Sequence, residues 1–165
     1  MATDSATIYR EILTQTRVAA LAATAGLVDS RVTISPLFSI DNLTTPHVQV
    51  IVPGEGRIGD ELSGVGLIEE SFEVVVIQQI MRDRFGTWTD AVSHATRGIM
   101  DLVTSIRGNG TASGPASGLH NFVTTNAEGP ITLSGWGGIR LADEDPNFIA
   151  HTDRYRILYE LASYQ

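Results

Sequence analysis

The chain has 165 residues, 42% of them apolar and 18% charged, which is the length and make-up of one globular domain. It contains no cysteine, and all eleven basic side chains are arginine, so disulfides, thiolate ligands, a Walker A lysine and Schiff-base chemistry are excluded. Nineteen acidic side chains leave a net charge of −8, the wrong sign for a protein that grips nucleic acid through its phosphates.

Residues 5 to 25 read as a first helix. Tyr9, Ile12, Leu13, Thr16, Ala20 and Ala23 fall on one stripe at helical spacing, with Asp4 or Ser5 as N-cap and Gly26 as C-cap. The alanines from Ala19 to Ala25 leave room for another element to pack close. Short strands follow at Val32 to Ile34 and at His47 to Val52, where Val48, Val50 and Val52 share a face. Residues 53–70 hold five glycines and mixed charges without a sustained period, which reads as a long mobile loop. Glu69 and Glu70 then stand at a strand entrance as solvated carboxylates.

Ser71 to Met81 is the strongest strand signal. Phe72, Val74 and Val76 face one way and Val75 and Ile77 the other, so both faces are expected to be covered. Trp88, Val92, Ala95, Ile99, Leu102, Val103 and Ile106 then mark a second helix, with Trp88 expected to fill the core at its start. Thr87 and Asp90 approximate a capping box, and Gly108 ends the helix. Residues 108–118 have the composition of a second mobile loop. Strands are expected at Leu119 to Thr124, Ile131 to Leu141 and Arg154 to Leu161, with an acidic turn at Asp143 to Asn147. The reading is one domain over 1–165, of α+β class. Its sheet is mixed but mainly antiparallel, with two main helices packed on one face, and its loops are long.

The letters that carry chemistry elsewhere lack their context here. Gly54-Glu55-Gly56-Arg57-Ile58-Gly59 spells the dinucleotide fingerprint, but Gly64 and Gly66 break the helix whose N-terminus would receive the pyrophosphate. The histidines, His47, His94, His120 and His151, stand in four different elements without a metal-ligand spacing. His94 lies one turn after Asp90, in place for a hydrogen bond on the helix surface. Asp143, Glu144 and Asp145 lack the spacing of a calcium loop, and no nucleophile elbow is present. No catalytic residue, metal or cofactor is assigned. Trp136, between Gly135 and Gly137-Gly138, is either packed across a sheet or presented to a partner.

The order of elements, closing on the strand Thr152-Asp153-Arg154-Tyr155-Arg156-Ile157-Leu158-Tyr159-Glu160-Leu161, resembles the tail terminator (tail completion) proteins of long-tailed bacteriophages. The resemblance covers most of the chain and rests on pattern, without a single diagnostic motif. It implies a structural virion protein and not an enzyme: a hexameric ring of identical subunits that caps the tail tube, ends its polymerisation and meets the head connector. Its partners would be itself, the tail tube protein and the connector or neck protein, with DNA only as passing cargo. A related neck or head-completion protein would look similar. Residues placed to meet such partners are Glu55, Arg57, Asp60 and Glu61 in the long loop, Trp136 and Arg140 in the glycine-rich strand, and Arg154 and Arg156 in the last strand. No apolar run approaches the ~20 residues of a membrane span, and Met1 to Ser5 has no signal-peptide pattern. The expected place is the virion tail, assembled in the host cytoplasm. The rival from another class is a small hydrolase using His94 or His151 with nearby carboxylates.

Overall fold

In the computed structural model, the described residues are 5–23, 31–35, 44–52, 57–58, 67–108, 118–124, 129–142 and 145–160. The elements in chain order are α1 (Ser5–Ala23), β1 (Val32–Ser35), β2 (His47–Ile51), β3 (Arg57–Ile58), β4 (Leu67–Gln79), α2 (Trp88–Arg107), β5 (Thr132–Ala142) and β6 (Asp145–Glu160). One mixed sheet has the order β1-β2-β4-β6-β5, and β3 joins β4 off this path. Only the β1–β2 pair is parallel; β2–β4, β3–β4, β4–β6 and β5–β6 are antiparallel. The fold is therefore α+β, with both helices on one face.

That face holds the core. Phe72, Val74 and Val76 of β4, Val48 and Val50 of β2, and Tyr155, Ile157 and Tyr159 of β6 are buried together with Ile8 and Ile12 of α1 and Ile99 and Leu102 of α2. Tyr9 meets Phe72 edge-on at 6.1 Å, and Phe72 stacks on Tyr155 at 5.5 Å. The other face carries a smaller cluster of Val75, Ile77 and Ala150, so β4 is buried on both sides, as its uninterrupted apolar run requires.

The helices sit close because their contact is made of small groups. Ala19 and Ala20 are buried, and Ser105 Oγ of α2 donates to the Ala19 carbonyl at 2.6 Å. Arg17 donates to the Val32 carbonyl and Gln15 to the Gly118 carbonyl, which ties α1 to β1 and to the segment after α2. Thr87 caps α2 by accepting from the Asp90 amide at 3.1 Å, and Gly108 closes it at φ 77°. The buried stripe is Ala91, Ala95, Ile99, Leu102, Val103 and Ile106. It is turned away from Trp88, which is exposed at the first position of the helix, with the Arg82 guanidinium 3.9 Å from its ring centre. Trp88 is thus not a core residue.

Three further expectations change. Leu119 to Thr124 is a turn, not a strand: Asn121 takes φ 67°, its amide donates to the Ile131 carbonyl, and Ile131 donates back to Phe122. Residues 53–70 are not loop throughout, since β3 and the first residues of β4 pair there, Arg57 opposite Glu69 and Ile58 opposite Ile68. Glu70 is consequently a mid-strand residue on the helix side, accepting a 2.7 Å hydrogen bond from Tyr9 Oη. Burial first, and then this carboxylate, raise the Tyr9 phenol pKa and keep it a donor. The last strand begins at Asp145, so it takes in the end of the supposed acidic turn. Asp143 and Glu144 lie outside the described residues, as do the rest of the 53–66 stretch and residues 109–117.

The ends of the 108–118 segment meet. Leu119 donates to the Ile106 carbonyl at 2.7 Å and His120 to Arg107 at 3.1 Å. Gly118 has φ 78°, and a Cβ there would lie 2.5 Å from the Gly108 nitrogen, so both conformation and space demand glycine.

Candidate functional site

β6 presents two chemistries from one strand. Its odd-numbered residues Ile149, His151, Asp153, Tyr155, Ile157 and Tyr159 are buried under the helices, whereas Arg154 and Arg156 point from the other face into solvent. The strand is long enough, at 16 residues, to pair with β4 on one side and β5 on the other.

Under the helices, the end of α2 delivers Arg107 to Asp153. Arg107 Nε donates to Oδ2 at 2.7 Å and Nη2 to Oδ1 at 2.6 Å, a side-on bidentate pair. His151 Nε2 lies 2.8 Å from Oδ1, and its Nδ1 is buried without a hydrogen-bond partner among the described residues. Burial alone would raise the Asp153 carboxyl. The hydrogen bonds from Arg107 and His151, and then the Arg107 charge, outweigh it and hold Asp153 below the ordinary carboxylate pKa. The same hydrogen bond raises Arg107. Trp136 of β5 stands opposite Asp153 in register, and its ring centre lies 5.5 Å from the Arg107 guanidinium carbon. The guanidinium is therefore fixed by the carboxylate and flanked by an indole that is 67% exposed.

On the opposite face, Glu73 and Arg154 stand opposite one another and pair at 2.8 Å, and Arg156 reaches Glu69 at 3.6 Å. Beside them a groove of about 360 Å³ is lined by Glu73, Ser134, Gly135, Trp136, Gly137, Thr152 and Arg154. Among the described residues β5 is an edge strand, with register shifts at Leu133/Gly135 and Gly137/Arg140.

Of the residues singled out from sequence, the structure brings Trp136 and Arg154 to this one groove, with Arg156 two residues along β6. Arg140 is in β5 opposite Ala150 and Arg57 is in β3 opposite Glu69, on the far side of β4. Glu55, Asp60 and Glu61 lie outside the described residues. Sequence reasoning named His151 only for the rival hydrolase and missed the residues it is grouped with, Arg107 and Asp153. The available signal was the His151-x-Asp153 spacing, which puts both side chains on one face if the strand starts before Arg154.

Each histidine has a packing or hydrogen-bonding role. His47 Nε2 lies 3.1 Å from Thr33 Oγ1, His94 packs on Phe85 at 4.9 Å where a bond to Asp90 was expected, and His120 Nδ1 accepts from the Leu133 amide at 3.2 Å. Burial, followed by the Arg31 charge, lowers the His47 pKa. His151 and Asp153 form a pair of general-base type, but with the ring buried and the carboxylate committed to Arg107, neither nitrogen is open to a substrate. Among the described residues no group of three or more possible ligands could hold a metal ion, and no helix is long and apolar enough to cross a membrane. No protein-family model and no curated protein matches the chain.

Proposed function

We propose that this chain is a structural virion subunit of tail terminator type, which assembles into a closed ring, ends tail-tube growth and joins the tube to the head connector. The observation that carries the reading is the build of β6. Its aromatic residues Tyr155 and Tyr159 lock into the core, its arginines Arg154 and Arg156 are held outward at fixed register, and the neighbouring β5, an edge strand among the described residues, exposes Trp136. That is a rigid platform for meeting protein surfaces. The order helix, strands, helix, strands, with a long closing strand bearing arginines and aromatics, supports the same family resemblance. A ring whose lumen passes DNA is also served by a net charge of −8, since an acidic lining lets the phosphate backbone slide without sticking. Sixfold order, the tail tube protein and the connector as neighbours, and residence in the virion tail follow from the resemblance. The engaged histidines favour this reading over a hydrolase.

Solution mass by light scattering, with negative-stain images of the same fractions, tests it. Ring-shaped hexamers, free or formed on added tail tubes, are expected. A chain that stays monomeric both alone and with tubes would sink the reading.

A further inference from the structure

We draw no further inference here: the strongest candidate, the groove of about 360 Å³ beside the exposed Trp136 at the β5 edge, belongs to the site already described, and nothing in the structure shows what covers it.

Discussion

Asp153 and Arg154 follow one another in β6, face opposite sides of the sheet, and each pairs with an opposite charge from another element. Asp153 is buried, takes two hydrogen bonds from Arg107, and has His151 at its third side. Arg154 meets Glu73 at the same 2.6–2.8 Å range of distance, but in solvent and through one nitrogen. Equal separations therefore stand for unequal energies. A carboxylate withdrawn from water depends on its partners for every hydrogen bond, whereas an exposed pair exchanges water for a contact of nearly equal worth. The buried pair fixes where α2 ends against the sheet, and the exposed pair decorates a face that stays available to other molecules.

Removing one member of the buried pair should have the largest effect. Asp153→Ala strands Arg107 and leaves His151 without its oxygen. Arg107 keeps 27% of its side chain accessible, so the loss falls at the lower end for broken buried pairs, about 3 kcal/mol. Chemical denaturation measures it, and a loss below 1 kcal/mol would show that the pair behaves like a surface one. Next comes Arg107→Lys, which keeps the charge and loses the fork. About 1.5 kcal/mol is expected, with reduced tryptophan fluorescence anisotropy if the indole loses its backing.

Acid should separate the two faces more gently. Asp153 has a folded pKa below its unfolded value, so its contribution is complete above about pH 4 and is lost as pH falls through the folded pKa. Asp153→Asn should remove that limb from a stability–pH curve. His47 is also depressed in the fold, and its contribution is complete above the unfolded value of about 6.5 and declines as pH falls below it. His47→Gln should flatten that earlier limb and leave the later one in place. A single acid transition unaltered by either change would contradict both assignments.

The two faces also differed in how far they could be read from sequence. α2 was legible because its apolar spacing runs unbroken between a capping threonine and a terminal glycine, all local information. The outward residues of β6 were legible as arginines alternating with aromatics. Its buried half was not, because Ala150-His151-Thr152-Asp153 places polar side chains where a core strand is expected to be apolar. What makes that burial tolerable is Arg107, 46 residues earlier, which no local pattern reveals. Leu119 to Thr124 failed for the same reason, since its bonds to residues 106, 107 and 131 decide its shape. Trp88 failed locally: the buried stripe of α2 keeps Ala95, Ile99, Leu102, Val103 and Ile106 of the expected spacing but begins at Ala91, which leaves Trp88 exposed.

The smallest effect carries the comparison furthest. Removing Glu73 and Arg154 singly and together should give a coupling of about 0.2–1 kcal/mol, because both ends reach water and long side chains lose freedom on pairing. The coupling should fade between low salt and about 0.5 M salt, where the screening length is only a few ångströms. The Asp153–Arg107 pair, shielded beneath α2, should keep most of its coupling over that range. If Glu73 and Arg154 instead couple by 2 kcal/mol or more and resist salt, the outward face is not solvated. In that case it is already covered, and dilution that releases the cover should restore the salt sensitivity.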